Sequence, residues 1–257
     1  MTYCLGILLR DGLVMASNSR SNAGVDDITT VRKMAVFEKK GLRVVTVLSA
    51  GNLATTQAVV TMLREELNSG EANRDLFSVK TMFHAAQAVG DLLRETFARE
   101  SDYVRPYGDP GGSFLVGGQI SGEQPRIFQV YPAGNFVESS PRSQMLQIGE
   151  TKYGKPVLDR ALNNDISLDE AAKLALLSFD ATIRSNLSVE GPIDLLRYTN
   201  DSLAATNLRK FSRDDPYWTD LRDRYSQGLM TLVRGLPIPP ANAAGTSATH
   251  LRDISEP

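Results

Sequence analysis

The stretch TYCLGILLRDGLVMASNSR, residues 2–20, decides how the rest of the chain is read. It opens on Thr2, directly after Met1. A small residue in second place lets the initiator Met be trimmed, which would leave a threonine carrying both a hydroxyl and a free α-amine. A hydroxyl is a weak nucleophile until a base takes its proton. An N-terminal Thr brings that base with it, an amine of reference pKa about 7.7–8.0. YCLGILL is short and apolar, Asp11-Gly12 is a hairpin turn signal, and LVMAS returns beside the first strand. Thr2 then sits at the end of a sheet strand rather than on a loose tail. Read without further context, this is also what an ordinary amino-terminal hairpin looks like.

Outward from the hairpin, KMAVFE and LRVVTVLSA read as further strands. Both faces of these strands are apolar, the pattern of strands buried on two sides. Two helices follow, about Leu53 to Leu67 and about Leu76 to Glu100; Phe77, Met82, Phe83, Ala86 and Val89 recur near helical spacing in the second. The cluster YGDPGG interrupts the chain. SFLVGGQI, RIFQVY, FVE and QMLQI come next as strands. Helices over about Tyr153–Leu162 and Leu168–Arg184 follow, the latter entered through Ser167 with Asp169 and Glu170 in its first turn. IDLLRYT is the last clear strand. Strands, helix pair, strands, helix pair suggest two stacked sheets with a helix pair outside each.

Thr2, the hairpin ending MASNSR, Lys33 within VRKMAVF, and LSAGNLATTQ together resemble a proteasome β-type subunit. The run SNSRSNAGVDDITTVRKM followed by SAGNLATTQ resembles the bacterial ancestral β-subunit branch, Anbu. The similarity is strong from Thr2 to about Leu67, looser through Ile193-Asp194, and fades beyond Tyr198. It implies an α+β fold, the four-layer αββα sandwich of the N-terminal nucleophile hydrolases. It also implies that Thr2 attacks a scissile carbonyl while its own amine shuttles the proton. Lys33, on the same resemblance, sits beside Thr2 and eases deprotonation by its charge; alone it would read as a solvated loop lysine.

Asn18 departs from that pattern, since the family carries an acidic residue there. An amide can hydrogen-bond Lys33 but brings no charge, so the lysine pKa should fall. Lys33 then either serves as a neutral base or belongs to a site too weakly charged for efficient turnover. Gly51 is the expected oxyanion donor through its N–H, and also a natural turn glycine between strand and helix. Ser49 and Ala50 are expected to line the pocket for the residue before the cleaved bond. The main chain near Asn22 and Ala50 is expected to hold an extended peptide by strand addition. In RSNLSVEGPID, Ser188 fits the family's bracing serine and Ser185 stands where the family has an Asp. Glu150 falls where proteasome subunits carry a helper serine; its carboxylate either replaces lost charge or caps the next helix.

Composition narrows the alternatives. With 257 residues, 42% hydrophobic and 23% charged, the chain suits one large globular domain. A formal net charge of −2 gives no basic footprint for nucleic acid. One cysteine, Cys4, and two histidines, His84 and His250, argue against a disulfide framework, a metal site and a Ser-His-Asp triad, and no cofactor is expected. No signal peptide or membrane span is apparent, which makes the cytoplasm the expected compartment. There is no G-x-x-x-x-G-K-[ST] motif, so any energy-driven unfolding needs a separate ATPase.

After about residue 200 a helical extension to residue 236 is expected, built on DDPYWTDLRDRYSQGLMTLVRGL. It packs either on its own domain or on a neighbour. Residues 237–257 read as a proline-rich polar tail. The leading expectation is a threonine hydrolase of peptides or small amides that assembles into a homo-oligomeric ring or spiral. The competing one is a proteasome-like scaffold whose site has decayed.

Overall fold

A computed structural model describes residues 1–22, 28–71, 73–163 and 165–240. Residues 241–257 of the expected tail lie outside them. Among the described residues the strands form two five-stranded antiparallel sheets and one small hairpin. The first sheet runs β10-β1-β2-β11-β12 and the second β5-β6-β7-β8-β9. β1 is Tyr3–Leu9 and β2 is Gly12–Asn18, the hairpin anticipated around Asp11-Gly12. β10 (Met145–Gly149), β11 (Ile193–Thr199) and β12 (Leu208–Phe211) complete that sheet. The second comprises β5 (Met34–Lys39), β6 (Arg43–Gly51), β7 (Gly112–Ile120), β8 (Arg126–Val130) and β9 (Phe136–Glu138). β3 (Arg20–Asn22) pairs with β4 (Ile28–Thr30) apart from both.

The apolar residues sort into three clusters that define the layers. Leu13, Met15, Met34, Val44, Leu48 and Ala50 meet between the sheets. Val14, Ala16, Tyr3 and Leu5 face the opposite way, onto helix residues such as Ala175 and Phe179. Val45, Val47 and Val116 of the second sheet face helix residues, Val59, Val89 and Leu93 among them. Each central strand thus has an apolar layer on either side. That is why β2 carries no polar alternation and is buried along its whole length. The result is the αββα sandwich.

The helices are α1 (Leu53–Glu65), α2 (Met82–Val104), α3 (Lys155–Ala161), α4 (Leu168–Ser185) and α5 (Pro216–Gly235). α4 begins on a full capping box, Ser167 with Glu170. α2 starts at Met82, six residues later than periodicity suggests. The Asp75 carboxylate accepts the N–H groups of Gly70 and Phe77 and so holds residues 70–77 as a turn, and Thr81 caps the helix. Beyond Thr199 the structure adds β12, a strand not anticipated in the extension, and it seats Trp218 of α5 inside the first sheet's core at 1% exposure. The distal half of α5 presents Leu229, Met230, Leu232 and Val233 to solvent.

Candidate active site

Hairpin pairing brings Asn18, the last residue of β2, back beside the start of β1. Its side chain is fully buried and is used as an amide throughout. Oδ1 accepts the Tyr3 N–H at 2.9 Å and lies 3.5 Å from the Lys33 ammonium. Nδ2 donates toward the carbonyls of Met1 at 3.3 Å, Arg20 at 3.3 Å and Glu190 at 3.2 Å. Lys33 enters just before β5, is 5% exposed, and donates to the Arg20 carbonyl at 2.5 Å. Burial lowers its pKa to about 8. No carboxylate among the described residues pairs with it. Arg20 instead takes Glu190 as its ion partner, and Arg213 reaches the same carboxylate at 3.0 Å.

Thr2 is half-buried, and its carbonyl accepts the Glu150 N–H at 2.7 Å. This close approach depends on Gly149. Its φ is +84°, and a Cβ there would run into the Thr2 carbonyl. The terminal amine, on Met1, donates to the Ser188 carbonyl at 2.6 Å. Its pKa is lowered by burial, then by the positive charges of Lys33 and Arg20. With Met1 in place the Thr2 nitrogen is an amide and cannot take a proton.

Ser188 therefore meets the terminus through its carbonyl rather than its hydroxyl. Ser185 is the last, exposed residue of α4 and makes no side-chain hydrogen bond among the described residues. The chain leaves the helix one residue later, so Asn186 takes the inward place. Its amide donates to Glu150 at 3.0 Å and its Oδ1 accepts the Ser188 N–H at 2.9 Å. Glu150 does not cap α3, whose N-cap is Gly154 with no side-chain bond. Its carboxylate accepts from Asn186 and from the Lys152 N–H, and so ties β10 to the 186–188 turn.

The second sheet closes the site. The Ser49 N–H donates to the Lys33 carbonyl at 3.0 Å, and the Ser49 carbonyl accepts from Cys4 at 3.5 Å. Ser49 and Lys33 line a cavity of about 330 Å³ together with α1 residues. Ala50 does not line it: one step along the strand, it faces the layer between the sheets. Gly51 ends β6 at φ +111°, where a Cβ would stand 2.6 Å from the Gly111 carbonyl. A glycine is needed there for the turn whatever its N–H does. Asn22 pairs in register with Ile28, and its side chain lies outside the described residues. Arg20, Glu190, Asn186 and Gly149 were not singled out from sequence. Only the charges of Arg20, directly after MASNS, and of Glu190, within RSNLSVEGPID, offered a signal. Among the described residues no group of His, Cys, Asp or Glu is placed to hold a metal, and no helix is long and apolar enough to cross a membrane.

A family model described as "Proteasome subunit" matches residues 2–196. A curated proteasome subunit beta from Haloquadratum walsbyi is 23% identical over 214 residues, 82% of this chain and 78% of that one. Among solved structures, Anbu (ancestral beta-subunit) from Yersinia bercovieri is 42% identical with TM-score 0.87, covering 93% of this chain and 100% of that one. The structure described as the helical assembly of the Anbu complex from Pseudomonas aeruginosa is 44% identical with TM-score 0.88, covering 94% of this chain and 99% of that one. These matches define a proteasome-type fold of the N-terminal nucleophile hydrolases. The chain belongs to the proteasome-subunit family, in its ancestral β-subunit branch, Anbu.

Proposed function

We propose that this chain is an N-terminal threonine hydrolase of peptides or small amides that works in the cytoplasm as a homo-oligomer. The observation that carries this reading is the junction at Asn18. One buried amide binds the N–H next to Thr2 and faces the ammonium of a buried Lys33. Once Met1 is removed, the Thr2 amine takes the proton as the Thr2 hydroxyl attacks the carbonyl. The leaving amine departs with a proton, and water hydrolyses the resulting ester. Lys33 contributes positive charge beside the developing oxyanion and hydroxyl, and the Gly51 N–H is the proposed oxyanion donor. Asn186, Ser188 and Glu150 position the terminus. A substrate peptide runs extended along the main chain near Asn22 and Ala50. Unfolding of folded substrates is left to a separate ATPase.

The solved relative described as a helical assembly supports self-association, as an open spiral or a ring according to the rotation per subunit. A second reading, a proteasome-like scaffold with little or no turnover, is favoured by the neutral amide where the family carries an acid. Labelling by a peptide vinyl sulfone, read by intact mass on protein lacking Met1, separates the two. Thr2→Ala should abolish labelling and amide hydrolysis while assembly persists. Activity retained in that variant eliminates Thr2 as the nucleophile.

A further inference from the structure

The cavity next to Lys33 has a lopsided charge. Small or uncharged residues line part of it, Ala35, Ser49 and Thr56 among them. Arg32, Lys33 and Arg64 also line it, and among the described residues no carboxylate does. Arg64 stands on the last turn of α1, exposed, and forms no ion pair among the described residues. Arg32 is exposed at the other side, where it also borders a second small hollow near Asp194. Leu53 and Val60 offer apolar contact for a methylene stem. Two arginines and a lysine in an otherwise uncharged, partly apolar lining match a carboxylate on a short stem, because charge-assisted hydrogen bonds from Arg to carboxylate are the strong ones. A cationic side chain placed there would face three like charges.

We propose that this cavity selects an acidic side chain, Glu or Asp, on the residue whose carbonyl Thr2 attacks, with Arg64 as the main specificity determinant and Arg32 as the second. This rests on the threonine-hydrolase reading only for the orientation of the substrate, and binding can be measured without turnover. Full-length protein, shown by intact mass to begin at Thr2, is titrated with two fluorescent peptide amides differing only in Glu against Gln at that residue. The Glu peptide should bind at least about tenfold more tightly at low salt. The gap should narrow at about 0.5 M salt, since both guanidinium groups are exposed. Arg64→Gln should reduce the gap to threefold or less, and Arg64→Gln with Arg32→Gln should erase it. Arg160→Gln, the same charge change on α3, should leave it intact. Equal binding of the two peptides, binding of neither, or a preference that survives the double substitution overturns the assignment. The matching vinyl sulfones report separately on Thr2. If neither labels while the Glu preference holds, the hydrolase reading fails and the pocket assignment stands.

Discussion

Lys33 is the residue whose ionisation matters most, and its setting fixes the sign of two effects. Unfolded, it titrates near 10.5; folded, near 8, because burial disfavours the ammonium. Below pH 8 both states hold the proton, and the burial penalty is fully present. Between 8 and 10.5 the unfolded chain binds more protons, so stability from this residue rises with pH across that window. Urea melts at pH 7.5 and 10 should show this gain in the parent and a smaller one in Lys33→Met. A charged Lys33 also predicts that labelling of Thr2 declines as pH passes about 8. Asn18→Asp would place a carboxylate where the amide oxygen now lies 3.5 Å from the ammonium, raise the Lys33 pKa, and move that decline upward. More labelling at pH 8–9 is therefore expected, and an unshifted limb would remove Lys33 from the mechanism. The same substitution forfeits the Nδ2 contacts to three carbonyls and sets a charge against them. It should cost about 1–3 kcal/mol of stability.

At the scale of single elements, β10 and the turn after it hold Thr2 in place. Gly149 ends β10 at φ +84°, and the next N–H fastens the Thr2 carbonyl. Gly149→Ala strains the backbone and pushes into that carbonyl together. The expected cost is on the order of 1–3 kcal/mol, with loss of Thr2 labelling out of proportion to the fall in melting temperature. Thermal melts alongside labelling rates check this, and a variant that labels normally shows that Thr2 is positioned from elsewhere. β12 carries little local signal. LRKF is short and lies at a sheet edge, with Arg209 and Lys210 exposed and only Phe211 buried. Charged, brief edge strands limit further pairing, and they leave little hydrophobic pattern to read.

For the whole molecule, the described segment after Asn200 divides in two. β12 and the first turns of α5 belong to the fold, since Trp218 fills the first sheet's core and Arg213 reaches Glu190 beside the site. The distal half of α5 exposes Leu229, Met230, Leu232 and Val233, and the C-cap Leu236 is exposed beside them. Such a patch suits contact with another copy of the chain. Truncation after Gln227 should keep the melting temperature within a few degrees while light scattering reports a smaller assembly. Truncation after Asn200 should unfold the protein instead, because it removes an edge strand and a buried Trp. A Gln227 truncation that keeps the full assembly mass places the interface elsewhere.

Local chemistry carried much of this architecture. Asp11-Gly12 specified the hairpin, Ser167 followed by Asp169 and Glu170 marked the start of α4, and strands apolar on both faces announced the stacked layers. These features depend on neighbours within a few residues, so they can be read along the chain. Resemblance pointed to Thr2, Asn18, Lys33, Ser188 and Glu150 as a group, and hydrogen bonds link Asn18 to Lys33 and Glu150 to Ser188 through Asn186. Tertiary structure alone decided how they meet. It gave Asn186 the place expected of Ser185, engaged Ser188 by its carbonyl, turned Ala50 away from the cavity, and joined Arg20 to Glu190 across 170 residues of chain. Those contacts depend on where α4 ends and on β11 lying beside β2. Sheet order is a long-range property: many residues far apart in sequence bury one shared surface, and no local spacing encodes which loop then closes over the amino terminus.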